Sequence, residues 1–251
     1  MSISKNELRQ VRSLAQKKFR DESGLFVVEG EKMVSEALAS GFEVVSVYRR
    51  DEIGEEAMAR LSMLSSPSPV LAVVRQPASA AFRPSKGLFL ALDGIRDPGN
   101  LGTILRVADW FGIDGVVASP DTVELYNPKV VQATMGAIFR VPFFRMDIAE
   151  LCRKVVSGGG HVYGTFLDGE NMYSKALDCG LEAPSVIVIG NESNGISPAV
   201  AACVSDRLFI PPYPADDRGS ESLNTAIATA ITVAEFRGRY ICLATKSFSG
   251  T

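Results

Sequence analysis

At 251 residues, 46% hydrophobic and 22% charged, the chain is an ordinary globular one, long enough for one large core or two modest ones. Its formal net charge of -3 announces no nucleic-acid partner in bulk, so a claim for one has to rest on a local patch. Cys152, Cys179, Cys203 and Cys242 lie far apart and His161 is the only histidine, which argues against structural zinc and a disulfide framework, and for a reducing compartment.

The start, MSISKNELRQ, is polar with no apolar h-region, and no apolar run approaches membrane-spanning length; a cytoplasmic protein with no membrane partner is expected. Ser4 is placed to cap a helix through Ala15. LFVVEG (25 to 30) reads as a strand, EKMVSEALASG as a helix stopped at Gly41, FEVVSVYRR as a second strand and EEAMARLSMLSS as a short helix. PVLAVV (69 to 74) returns to the sheet. Residues 1–76 thus form a small α/β unit, and QPASAAFRPSKG, with Pro77 and Pro84, makes 77–87 a linker.

From there to residue 244, strands and helices alternate in a second domain (88–244). The strands are GLFLAL, DGVVAS, HVYGTF, SVIVIG and RLFIP, with helices at about 99–111, 127–139, 147–157 and 222–238. Apolar runs without alternation predict strands buried on both faces, hence a mostly parallel sheet covered by helices. ATKSFSGT reads as a loose tail.

Three glycine- or proline-marked stretches follow strand ends here, the side on which open α/β sheets bind ligands. The first, DGIRDPGNLGTILRVADWFG (93–112), is a strand, turn and helix. It has no G-x-G-x-x-G, which counts against a dinucleotide-dependent oxidoreductase, and no G-x-x-x-x-G-K. Asp97 and Pro98 suit a turn, and Asn100 and Gly102 a helix start. Arg106 lies about two turns into the helix, too deep for an N-terminal anion hole, so it reaches any partner with its own side chain. In the second stretch, VIVIGNESNGIS (186–197), Glu192 is a charge just past a buried strand and needs a partner, while Gly190 and Gly195 permit close backbone approach. A polar surface loop explains it equally well. The third, LFIPPYPADDRGSESLNTAIATAITVAEF (208–236), ends a strand at Pro211 and Pro212 and begins a long apolar helix, with Ser222 expected at the N-cap and Asn224 in the first turn. Alone, it is a capped core helix.

In this order the three stretches resemble the motifs of the SpoU family of RNA ribose 2′-O-methyltransferases, of the SPOUT class, over roughly residues 87–240. KKFRDESGLFVVEGEKMVSEALASG is similar to the L30e-like RNA-binding domain that precedes the methyltransferase domain in many members. The resemblance implies an α/β fold: a C-terminal parallel-sheet α/β-knot domain, threaded into a trefoil knot, after a small L30e-like α/β domain. It also implies a homodimer and S-adenosylmethionine as methyl donor, with no metal. Carried over, the donor contacts are Gly190, Ile210 and Leu223, with Thr165, Phe166 and Asn191 secondary, and the catalytic group is Asn100, Arg106, Glu192, Ser222 and Asn224. By analogy the substrate is ribosomal RNA in preference to transfer RNA. A transfer-RNA 2′-O-methyltransferase and an inactive RNA-binding module of the same fold are the alternatives.

Residues 1–20 carry Lys5, Arg9, Arg12, Lys17, Lys18 and Arg20 against Glu7 alone, a patch suited to phosphates or simply a solvated face. The resemblance matches Lys17, Lys18 and Arg20 to the family's basic stretch and makes them RNA contacts. Two departures stand out. Ser193 replaces a glycine common after the second motif's glutamate. Pro212 replaces a methionine and opens a longer, charged loop containing Asp216, Asp217 and Arg218.

Overall fold

The computed structural model describes residues 3–78, 80–214 and 222–248, with side chains as far as residue 239. Asp216, Asp217 and Arg218 of the long loop lie outside the described residues.

Two units divide the chain. In the first, the Ser4 side chain accepts from Glu7 N at 3.1 Å and caps α1 (Lys5–Ser13). A separate helix, α2 (Lys17–Ser23), occupies the basic stretch. Then come β1 (Leu25–Glu29), α3 (Glu31–Ala39), β2 (Val44–Arg49), the short helices α4 (Arg50–Ile53) and α5 (Glu55–Leu61), and β3 (Val70–Arg75). The strands form an antiparallel sheet in the order β1-β3-β2, so the late apolar run Val70–Val74 takes the centre. Val11, Leu14, Val27, Met58, Leu61 and Leu71 pack in its core.

The second unit begins with β4 (Gly87–Asp93), α6 (Pro98–Trp110) and β5 (Gly115–Ala118). Part of the expected linker belongs here: Phe82 packs edge-on against Phe89, with ring centroids 5.1 Å apart. After β5 the chain departs from the expected plan. Glu124–Arg140, carrying α7 (Pro128–Thr134) and a 3-10 turn (Ala137–Phe139), belongs to the first unit. There Tyr126 lies 4.6 Å from Phe26 and Phe139 5.2 Å from Phe42, centroid to centroid. The single helix expected over 127–139 breaks at Met135, whose φ is 50°.

The chain then completes the second unit with β6 (Phe143–Arg145), α8 (Ile148–Ser157), β7 (His161–Asn171), β8 (Pro184–Gly190), α9 (Pro198–Ala201), β9 (Asp206–Phe209) and α10 (Thr225–Phe248). All neighbouring strands pair in parallel, in the order β6-β5-β4-β8-β7-β9. The two central strands are almost wholly buried, which is why their sequences are continuous apolar runs. Truncating a core side chain such as Leu90 to alanine would cost about 2–5 kcal/mol. β7 outruns its predicted span: its register to β9 jumps from Thr165↔Leu208 to Glu170↔Leu208, so the intervening residues bulge out. α10 also outruns its prediction: it continues through Gly238, and ATKSF is helical rather than a loose tail.

Candidate active site

The loop from β4 into α6 is held on every side. Gly94 has φ 73°, and a Cβ there would stand 3.1 Å from Asp121 Oδ2, so both conformation and space demand glycine. Its N–H donates to Ser119 Oγ (2.9 Å) and its carbonyl accepts from Asn191 Nδ2 (2.7 Å). Asp97 is the N-cap of α6, accepting from Asn100 N at 2.8 Å, with Pro98 at the first helical position. The helix start thus carries its own carboxylate, which answers the orphan amides that a phosphate loop would offer.

Because β4 and β8 are neighbours, the ends of these strands bring the first two motifs together. Asn100 Nδ2 donates to Glu192 Oε1 at 3.0 Å, and Asn191 Nδ2 donates to Glu192 Oε2 at 3.2 Å. Asn191 Oδ1 in turn accepts from Ser193 N and Asn194 N at 2.9 and 3.1 Å, closing the loop after β8. The third motif joins through Asn224, whose Nδ2 donates to Asn100 Oδ1 at 3.0 Å. Asn224 Oδ1 accepts from Ala226 N and Ile227 N at 2.9 and 3.2 Å, so Asn224, not the expected Ser222, is the N-cap of α10. Ser222 precedes it, exposed. Asn's carboxamide caps with its oxygen and donates from a separate nitrogen, so it reaches the two partners from different atoms.

The expected donor contacts gather at the ends of three adjacent strands. Thr165 lies in the last regular pair of β7, Gly190 ends β8 and Ile210 follows β9. Gly190 serves the protein itself: a Cβ would fall 2.3 Å from the Gly195 carbonyl carbon, where the Asn191–Gly195 hairpin folds back. Phe166 is half-buried under the Arg207 guanidinium, 3.5 Å from the ring centroid, and Arg207 also pairs with Asp168. Among the described residues, neither Ile210 nor Leu223 makes a backbone hydrogen bond. Backbone N–H and C=O groups without a backbone partner among the described residues suit a ligand with a hydrogen-bonding heterocyclic edge, such as the adenine of S-adenosylmethionine.

Arg106 is exposed on α6 with no hydrogen-bond or ion-pair partner among the described residues. Further along the same helix, Trp110 is 85% exposed. In the first unit, Lys17 and Lys18 are exposed, each with a carboxylate four residues on, Asp21 and Glu22. Arg20 is different and corrects the sequence reading. Only 2% exposed, it donates to the carbonyls of Leu14 and Ala15 and pairs with Glu124. A guanidinium so enclosed, with four of its five N–H donors engaged inside the protein, is not presented to a phosphate.

Asp93 and Asp97 are positioning groups outside the residues that the motifs single out. Asp93, 8% exposed at the end of β4, accepts from Ser197 N at 2.7 Å and anchors the far end of the second motif's loop. A carboxylate closing an apolar strand is the sequence signal that marks Asp93. Among the described residues no group of three or more His, Cys, Asp or Glu could hold a metal ion, and no helix is long and apolar enough to cross a membrane.

Residues 87–234 match the model of the SpoU rRNA methylase family, and residues 5–76 match that of an MRM3-like substrate binding domain. The chain is 29% identical to a 23S rRNA (guanosine(2553)-2′-O)-methyltransferase of Bacillus subtilis, over 94% of this chain and 98% of that protein. A solved structure from Porphyromonas gingivalis, assigned to the TrmH family of RNA methyltransferases, superposes with a TM-score of 0.85 at 38% identity, covering 95% of this chain and all 100% of that one. An AdoMet-bound rRNA methyltransferase from Sinorhizobium meliloti superposes with a TM-score of 0.83 at 29% identity, covering 95% and 97%.

Proposed function

The chain belongs to the SpoU rRNA methylase family, and from that premise we propose that it transfers a methyl group from S-adenosylmethionine to a ribose 2′-hydroxyl of ribosomal RNA. The observation that carries this is the Asn224–Asn100–Glu192 chain of hydrogen bonds, which joins one side chain from each of the three motifs.

When bound, S-adenosylmethionine supplies an electrophilic methyl on a sulfonium. The displacement is in-line, so the protein's task is alignment and help in removing the hydroxyl proton. Arg106 is a poor base because a guanidinium stays protonated in proteins. It binds the phosphate beside the target ribose, and a phosphate oxygen or water takes the proton. Glu192 orients Asn100 toward the ribose, and Asn224 with Ser222 shapes the start of α10. Gly190, Ile210, Leu223, Thr165, Phe166 and Asn191 form the donor side, supported by the backbone groups of Ile210 and Leu223, which have no backbone partner among the described residues.

Ribosomal RNA is preferred to transfer RNA because relatives over the whole chain carry that name and residues 5–76 match a substrate-binding domain. Lys17 and Lys18 contact its phosphates, and the compartment is the cytoplasm. The active enzyme is a homodimer through the second unit, supported by the apolar surface of Trp110, Ile227 and Leu223 on and beside α6 and α10. Threading of the C-terminal segment into a trefoil knot belongs to the same reading.

The test is to map 2′-O-methylation of total RNA with and without this gene. A single ribosomal position should lose its methyl group; an unchanged ribosomal map rejects the assignment, and loss at a transfer-RNA position redirects it. In vitro, Arg106→Ala should lower kcat by about 100-fold or more while leaving donor affinity intact. Equal weakening of donor binding removes Arg106 from the substrate side.

A further inference from the structure

The turn between β4 and α6 contains a residue that the three motifs leave without a role. Gly94, Ile95 and Asp97 are each committed to the protein. Gly94 is bonded at both its N–H and its carbonyl. Ile95 is fully buried, and its carbonyl accepts from Val123 N at 2.8 Å. Asp97 caps α6. Between them stands Arg96, exposed, with no hydrogen-bond or ion-pair partner among the described residues.

Three arginines elsewhere in this unit are used differently. Arg145 donates to the carbonyls of Ser119, Thr122 and Val123, Arg237 to that of Phe111, and Arg239 to those of Met172 and Tyr173. Those guanidiniums staple loops. Arg96 staples no other loop among the described residues, although its neighbours Gly94, Ile95 and Asp97 are held on both sides of it. Holding the backbone while freeing the side chain reduces the entropy lost when an external group is gripped.

Charge and position name the ligand. Arg96 is four residues from Asn100, at the strand ends where the site lies. The neighbouring helix start is already capped by Asp97, so an anion here is recognised by the side chain. A planar guanidinium fork matches phosphate oxygens. Arg106 lies eight residues, about 12 Å of helix rise, beyond Pro98 at the start of α6, whereas Arg96 stands before that helix begins, so the two side chains leave well-separated points of the backbone and suit different phosphates. We infer that Arg96 binds a second backbone phosphate of the RNA strand, next to the nucleotide whose ribose is presented to Asn100. This rests on the proposed RNA substrate. Arg96 is a positioning residue that holds the strand in register and reads no base.

The test uses the full chain with Arg96→Ala and Arg96→Lys, and deproteinised ribosomal RNA from cells lacking the gene. Binding is measured by filter retention without donor across a salt series, and methylation by transfer of labelled methyl. For Arg96→Ala, the slope of log affinity against log salt should fall by about 0.7–0.9, the loss of one phosphate contact. KM for RNA should rise about tenfold, with kcat at saturating RNA and donor affinity unchanged. Arg96→Lys, keeping the charge, should retain the slope while recovering only part of the KM. An unchanged slope and KM in Arg96→Ala overturns the inference. If the unsubstituted chain transfers no methyl group to this RNA, the proposed reaction fails, while the salt slope still decides whether Arg96 grips a phosphate.

Discussion

Asn224 donates from Nδ2 to Asn100 Oδ1 at 3.0 Å across 124 residues of sequence, and the direction of that bond is dictated by Glu192. An ionised carboxylate only accepts, so Asn100 must turn its NH2 toward Glu192 and its oxygen toward Asn224. Asn224 must then present its own NH2 to Asn100, leaving its oxygen to cap α10. One charge thereby fixes the orientation of two amides and links the start of a helix to the substrate side of the site.

Asn224→Asp separates the two jobs of that residue. Aspartate caps a helix about as well as asparagine, so the melting temperature should hold, but a carboxylate cannot donate to Asn100 Oδ1. Losing a bond in this charged network costs about 1.5–3 kcal/mol, so kcat/KM should fall about 10- to 100-fold. Asn224→Ala should lower both activity and stability, the latter by about 1 kcal/mol. Full activity in Asn224→Asp would show that the bond to Asn100 is dispensable.

Trp110 is 85% exposed, with Ile227 and Leu223 at 50% and 49%, and α6 packs against α10. A homodimer through this surface would bury a large aromatic anchor. Trp110→Glu should then sediment as a monomer with an unchanged circular dichroism spectrum, since an exposed substitution alters folding stability by less than about 0.5 kcal/mol. A wild-type chain that sediments as a monomer would falsify the dimer.

Arg20 and Glu124 form the first unit's most enclosed ion pair, with Arg20 Nε 3.1 Å from Glu124 Oε1. Glu124→Ala leaves a buried charge unpaired and should cost about 3–5 kcal/mol in urea unfolding. Lys17→Ala, at an exposed i,i+4 pair, should change stability by less than about 0.5 kcal/mol. If Glu124→Ala costs no more than Lys17→Ala, the segment 124–140 is not integral to that unit.

Burial pushes the Cys152 thiol up from 9.0 to about 12, with the nearby Cys203 and Asp93 adding to the rise, and burial, aided by Glu124, pushes the Tyr126 hydroxyl up from 10.0 to about 12. Both groups hold their protons in the folded protein after the unfolded chain has released them. Stability from these groups is therefore complete below about pH 9 and declines as pH rises toward 12. Cys152→Ala in a chemical-denaturation series should flatten the decline above pH 9. Iodoacetamide at pH 8 should leave Cys152 unlabelled until the protein unfolds. Rapid labelling of native protein would contradict this burial.

Much of the architecture was legible in the sequence. Continuous apolar runs marked β4 and β8 as central strands of a parallel sheet, because such strands are shielded on both faces and have no polar side to alternate with. The order of the three motifs carried the family, and with it Asn100, Glu192 and Asn224, since local signals such as Gly94, Asp97-Pro98 and Gly190 sit at strand ends whatever the rest of the fold does. Tertiary structure decided the pairings. Strand order puts Asn100 beside Glu192, 92 residues away, and no periodicity encodes strand order. The same limit explains why Arg20 read as a surface cation and 127–139 as a helix of the second domain. Glu124, the partner of Arg20, lies on a chain excursion that itself packs on Phe26 and Phe42 through Tyr126 and Phe139, and all of these contacts are long-range. Ser222 lost the cap of α10 to Asn224 for a related reason: a side chain that must cap and donate at once is chosen by what lies across the site, which local propensity cannot sense.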